Sequence, residues 1–185
     1  RNKALPKGAK RDKAVRRELC SVITKGTAFH RDDQATFLLS VSEDVSTRTL
    51  GVCFVDAATG QLQLGQCVDD EHCNSLRTLL AQLRPDEVLV DEATVSRQVY
   101  TLLRRSVAEP LFNTLPDECW FADKADAAAR LAKARYFATD GEDGWPAPLR
   151  AAASSEQPVA LRAFGGCATY LKRLMLDEQL LSMEH

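Results

Sequence analysis

Three strand signals follow one another with no helix between them, and then the periodicity changes; no other feature of this chain narrows its fold so far. Phe37-Leu38-Leu39-Ser40-Val41 is the first apolar run. A polar linker, Ser42 to Arg48, leads to Leu50-Gly51-Val52-Cys53-Phe54-Val55. Asp56-Ala57-Ala58-Thr59-Gly60 then reads as a short hairpin loop in which Gly60 takes a positive φ. Gln61 to Cys67 alternates polar and apolar, as a strand with one wet face does. Three strands joined by short links form an antiparallel meander.

Beyond it the spacing turns helical. Asp69 or Asp70 is placed to cap a helix with Cys73, Leu76, Leu79, Leu80 and Leu83 on its apolar side, closed by Pro85. Glu87-Val88-Leu89-Val90-Asp91 has the uniform apolar centre of a strand covered on both faces. Thr94 is placed to cap a second helix carrying Val95, Val99, Leu102 and Leu103. Leu111 to Leu115 is a weaker strand ended by Pro116, and Asp123 opens an Ala-rich helix reaching about Phe137. Thr139 to Pro148 reads as a loop. From Pro158 the chain reads as one long helix whose Leu161, Phe164, Ala168, Leu171 and Met175 make a seam for a neighbouring helix. Gly165 and Gly166 inside it are each about 1 kcal/mol less favourable than Ala, which requires either a closely approaching neighbour or a bend. The order βββαβαβα plus a long C-terminal helix is α/β, a ribonuclease-H-like mixed five-stranded sheet flanked by helices.

Apolar residues at 45% and charged residues at 27% supply a core and a wet surface. No apolar run approaches the roughly 20 residues that cross a bilayer, and the basic N-terminus has no apolar segment behind it to act as a secretory signal. The six cysteines (20, 53, 67, 73, 119, 167) are irregularly spaced and read as reduced thiols rather than disulfides. The net charge of −2 conceals a +7 segment, residues 1–17, on a body of −9. That points to a nucleic-acid contact at the N-terminal end or to a solvated tail, and the body is too acidic to wrap DNA. A missing initiator Met and a last helical pattern cut at Ser182 to His185 point to a piece of a longer protein.

A ribonuclease-H-like sheet raises the question of catalysis, because nucleases of that fold gather carboxylates at strand ends around two divalent metals. Asp56, Asp91 and Glu92 are the candidates, yet the strand Phe37 to Val41 carries no acid, so the ligand set is incomplete. Asp56 has a simpler task at the mouth of a hairpin. Cys67-Val68-Asp69-Asp70-Glu71-His72-Cys73 lacks zinc spacing; a buried Cys73 and a surface His72 are expected. No phosphate-binding Gly-rich loop or nucleophile elbow is present, and His30 and His72 have no assignable partner. Catalytic, cofactor-binding and metal-binding residues are therefore expected to number none.

Three spaced blocks carry a resemblance. Arg16-Arg17-Glu18-Leu19-Cys20 is followed by Val22-Ile23-Thr24-Lys25-Gly26-Thr27. Gly51 to Asp56 is followed by Gly65-Gln66-Cys67, Asp69-Asp70, His72-Cys73 and Leu76 to Leu79. Gly165-Gly166-Cys167 is followed by Tyr170-Leu171-Lys172 and Glu178 to Met183. In this order they resemble the eukaryotic MutS family of DNA mismatch-repair proteins, on the side of the mismatch-sensing, larger subunit of its heterodimer. The resemblance implies residues 1–30 as a basic tail and exit from a mismatch-binding domain, 31–157 as a non-catalytic connector domain, and 158–185 as the start of a lever helix. It also implies a nuclear protein whose partners are the other MutS-homologue subunit, MutL homologues and mismatched duplex DNA, with ATP and Mg used only by an ATPase elsewhere in the full length. Gly26 and the 139–157 loop are the expected hinges. The alternatives are a divalent-metal-dependent nuclease and a sequence-independent DNA binder acting through residues 1–17.

Overall fold

A computed structural model describes residues 24–27, 36–106, 111–137, 141–155 and 157–181. The basic segment 1–17, the exit segment before Thr24, Cys20, His30 and residues 182–185 lie outside the described residues.

β1 (Phe37–Asp44) is the spine of the sheet. It pairs antiparallel with β2 (Thr49–Asp56), Phe37 opposite Asp56 and Asp44 opposite Thr49. It pairs in parallel with β4 (Glu87–Val90), Leu38 opposite Glu87 and Val41 opposite Val90. β3 (Leu62–Val68) runs antiparallel to β2, and β5 (Leu111–Thr114) runs parallel to β4. The five-stranded order β3-β2-β1-β4-β5 is the ribonuclease-H-like arrangement expected from the order of elements.

β1 is longer than its apolar run suggests. Ser42, Glu43 and Asp44 continue the strand because each finds partners: Ser42 donates to the Val159 carbonyl (2.9 Å), and Glu43 accepts from the Ser96 amide (2.6 Å). Asp44 closes the turn to β2 by accepting from Ser46 N and Thr47 Oγ1, each at 2.9 Å. Asp56 does the same for the second hairpin, accepting from Ala58 N and Thr59 Oγ1, each at 2.9 Å, while Gly60 takes φ 71 as expected.

Alternation along the strands sorts two cores. Leu39, Val41, Leu50, Val88 and Val90 lie under α1 (Asn74–Leu83) and α2 (Arg97–Ser106), against Leu76, Leu80, Val99 and Leu103. Leu38, Cys53, Val55 and Leu89 face α5 (Pro158–Arg173) together with Trp120, Phe121, Phe164 and Leu171. Asp69 and Asp70 both cap α1, accepting from the amides of Leu76 (3.0 Å) and Asn74 (3.0 Å) respectively. Asp123 caps α3 (Lys124–Ala134) through the Asp126 amide at 2.8 Å. The cap of α2 is Ser96, whose hydroxyl accepts from Val99 N at 3.2 Å, and not Thr94, whose hydroxyl donates to the Asp91 carbonyl.

One expectation is corrected. The stretch 139–157 is no continuous loop: Ala147–Ser154 forms α4, anchored by buried Leu149, Ala152 and Ala153. The seam on α5 meets neighbouring helical segments, Phe164 lying beside Leu149 and Leu180 and Ala168 beside Leu131 and Ala134, while Ala160 and Ala163 turn to the sheet. Leu161, Phe164, Ala168 and Leu171 are buried there, while Met175 lies past the helix end at φ 57 and is exposed. α5 shares the core of the strands, and the helical chain turns again into α6 (Asp177–Leu181).

Small residues set how close α5 comes. A Cβ on Gly51 would lie 2.0 Å from the Val159 carbonyl oxygen. On its far side a Cβ on Gly165 would meet Phe121 N at 2.4 Å, and one on Gly166 the Trp120 ring at 2.3 Å, so the glycine pair answers to close neighbours. Gly51→Ala is therefore expected to destabilise the domain by about 2–3 kcal/mol through overpacking. Gly65→Ala, where nothing lies within 4 Å of the added Cβ, is expected to change stability by less than about 0.5 kcal/mol. Denaturant midpoints of the two variants check the contrast.

Candidate functional site

β4 ends in a buried carboxylate at each side, and both are fastened to α5. Glu87 opens the strand and is fully buried. Its carboxylate accepts from Asn113 Nδ2 at 2.6 Å, from the Gly26 amide at 3.1 Å, and from the Tyr170 and Thr24 hydroxyls. Four donors on one buried carboxylate replace the water it has lost. Burial first, and then the hydrogen bond and charge of Glu87, push the Tyr170 phenol well above its ordinary pKa, so it stays a donor.

The Thr-Lys-Gly-Thr segment thereby gets its place. Thr27 N donates to the Thr24 carbonyl at 3.3 Å, closing one 3-10 turn over Lys25–Thr27, and Thr24 N donates to Thr27 Oγ1 at 2.9 Å. A Cβ on Gly26 would sit 2.3 Å from Glu87 Cβ. Gly26, expected as a hinge, is thus a point of close approach, where the chain from the N-terminal side is pressed onto the start of β4.

At the other end Asp91 follows the strand, also fully buried. Arg162 Nε donates to its Oδ2 at 2.6 Å, and a second guanidinium nitrogen reaches Asp117. Burial acts to lower the Arg162 pKa, but the bonds to Asp91 and Asp117 outweigh it and hold the pKa above its ordinary value. Asp91 Oδ1 is buried with no partner among the described residues.

The two fastenings are commensurate. From Glu87 to Asp91 the strand advances about 13 Å at roughly 3.3 Å per residue; from Tyr170 back to Arg162 the helix spans about 12 Å at 1.5 Å per residue. Helix and strand run in opposite senses, and each end of one meets the far end of the other.

The acids named for a two-metal reading are not brought together. Asp56 lies opposite Phe37, at the start of β1, while Asp91 follows the residue paired with Val41 and so lies level with Ser42. Five residues of strand, about 16 Å at roughly 3.3 Å per residue, separate carboxylates that would have to converge. Glu92 is exposed, and a guanidinium already fills the place of a cation beside Asp91. Glu43 and Asp44 extend β1 with acids that its apolar run did not announce, but both cap turns. Among the described residues no three His, Cys, Asp or Glu side chains group as metal ligands. His72 is exposed and Cys73 buried, as expected, and the five described cysteines are free thiols.

The fold and these fastenings define a ribonuclease-H-like domain whose strand-end carboxylates hold the chain's own donors and a guanidinium. Comparison with known proteins narrows the class. The family model for MutS domain II matches residues 36–184. The chain is 35% identical to the human DNA mismatch repair protein Msh6 over 95% of its own length, and 32% identical to the Saccharomyces cerevisiae protein of that name over 92%. The Arabidopsis thaliana Msh6 is 30% identical over 92%. The chain therefore belongs to the MutS family, as a connector domain of the Msh6 type. It spans 15% of the length of the human relative and 16% of the yeast one. A fowlpox virus Holliday junction resolvase overlaps 75% of the chain, at 12% identity and a TM-score of 0.45.

Sequence reasoning named Asp91 and Thr24-Lys25-Gly26-Thr27 but missed Glu87, Tyr170 and Arg162 as a set. A charged residue opening a strand covered on both faces was the available signal for Glu87. Arg162→Ala is expected to cost about 3 kcal/mol or more, because it strands the Asp91 charge in the interior. Asp91→Asn with Arg162 retained is expected to cost less. Thermal and urea melts of both variants test the order.

Proposed function

We propose that this domain is the mechanical joint of a mismatch-repair protein, joining a DNA-gripping domain upstream of Thr24 to a lever and ATPase downstream of α6, with no catalysis of its own. The observation that carries this reading is the Glu87 carboxylate. It holds the incoming Thr24–Thr27 turn, the sheet edge at Asn113 and α5 at Tyr170 in one cluster. A displacement of the incoming segment must either break this cluster or move sheet and α5 together. A coupling element needs that choice between two discrete arrangements.

In this reading the connector proper extends from about 36 through α6, because α5 shares its core. Its partners are a second MutS-homologue subunit, MutL homologues and, through the whole protein, mismatched duplex DNA. ATP and Mg act in the whole protein alone, and the work is nuclear.

Glu87→Ala is expected to release the Thr24–Thr27 turn while the α1/α2 face stays folded. Amide exchange at Gly26 should then accelerate at least tenfold, while amides of α1 keep their protection. Unchanged exchange at Gly26 would show that Glu87 does not hold the joint. In a full-length protein the same substitution is expected to weaken the dependence of DNA release on ATP more than mismatch affinity itself.

A further inference from the structure

The outer surface of α1 and α2 carries a charge pattern that the acidic body hides. Neither helix contains an acidic residue, and between them they present Arg77, Arg97, Arg104 and Arg105, all exposed. None of the four forms an ion pair among the described residues. A groove of about 730 Å³ runs between the helices, lined by Arg77, Arg97 and Arg105 with Gln98, Thr101 and Leu102. Arg97, Thr101 and Arg105 recur every fourth residue and so share one side of α2, spanning about 12 Å.

The remaining contacts leave the groove cationic. Arg104 lies over the Phe112 ring, 4.6 Å from its centroid. Arg77 Nε donates to the His72 carbonyl at 2.9 Å, which leaves its terminal nitrogens free to donate outward. The Gln98 amide is engaged by the Glu71 carbonyl, and the Glu71 carboxylate turns to His72 at 3.4 Å.

Three guanidinium groups around one groove repel each other unless an anion joins them, and their spread over about 12 Å calls for repeated charge rather than one carboxylate. One strand of a duplex offers a phosphate roughly every 3.4 Å of axis. A docked peptide would need apolar anchors, and Leu102, the one apolar lining residue, is 6% exposed. We propose that the α1/α2 groove binds the sugar–phosphate backbone of duplex DNA through Arg77, Arg97 and Arg105, without reading sequence. The two neutral polar lining residues are already engaged, Thr101 donating its hydroxyl to the Arg97 carbonyl at 2.7 Å and Gln98 its amide nitrogen to the Glu71 carbonyl, and so offer too little to distinguish bases.

The test is fluorescence anisotropy of the whole chain with a short labelled duplex over a series of KCl concentrations. The R77Q/R97Q/R105Q variant should reduce the slope of log K against log salt by roughly 2 to 3 units, equally for two unrelated sequences and with unchanged melting temperature. A variant with Lys7, Lys10, Arg11 and Lys13 replaced by Gln should keep the contribution of the groove. R97E/R105E, which leaves Arg77 in place, should weaken binding further than R97Q/R105Q. An unchanged slope in the triple variant overturns the proposal, as does a slope that vanishes with the tail substitutions alone. A poly-glutamate peptide that displaces the duplex at equal charge would assign the groove to an acidic protein and overturn it too. Exchange at Gly26 is read separately, so failure here leaves the Glu87 joint standing.

Discussion

Everything in this domain depends on how closely α5 lies on the sheet. The Val159 carbonyl accepts from Ser42 at 2.9 Å and the Ala163 carbonyl from Ser40 at 2.8 Å, so two helix carbonyls take a second donor from β1. That contact exists only because Gly51 on β2 has no side chain and Ala160 and Ala163 on the helix have almost none. Trp120 and Phe121 press from the other side into the space left by Gly166 and Gly165. The helix is gripped between two surfaces, and small residues at fixed positions determine its height.

A helix gripped at that height has one register. Tyr170 meets Glu87 and Arg162 meets Asp91 only when the helix sits where it does, since a shift of one turn is about 5.4 Å and breaks both. Buried ionic and polar clusters add little net stability over well-packed apolar side chains, but losing one partner is severe. The two carboxylates thus act less as glue than as stops. They tie β4, α5 and the Thr24–Thr27 turn to one register, as the proposed joint would require.

The local half of this was legible in the sequence. Asp56 and Gly60 announced a hairpin, Asp123 a helix start and Val88-Leu89-Val90 a covered strand, because each signal acts within a few residues. Glu87 and Tyr170 lie 83 positions apart, and Ser42 and Val159 lie 117 apart, so their pairing follows from topology rather than from any local pattern. Ser42 to Asp44 read as linker because polar residues mark a loop unless a distant acceptor or amide is known. The three-and-four spacing on α5 reported a buried face correctly, but it does not say that the small-residue side beside it, at Ala160 and Ala163, lies on a sheet. The Gly and Pro residues of 141–148 drew attention from Leu149, Ala152 and Ala153, whose own spacing was helical. Net charge, being a sum, could not show that the arginines of α1 and α2 share one surface.

Arg162 decides what the carboxylate end of the sheet can do. A divalent cation beside Asp91 would need further oxygen ligands and would exchange with solvent. A guanidinium is a permanent cation on a tether, with donors in a fixed plane, and it cannot leave or give up its charge. Here it spans from the end of β4 to Asp117, beyond β5, joining two parallel strands' exits to the N-terminal half of the sheet's covering helix. In a ribonuclease-H-like sheet the acid after β4 can serve exchangeable chemistry or a permanent strut. With Asp56 held at the opposite end by its own hairpin loop, no second carboxylate is placed to favour the metal. Asp91 is held as a strut by Arg162, which supports reading the domain as a joint.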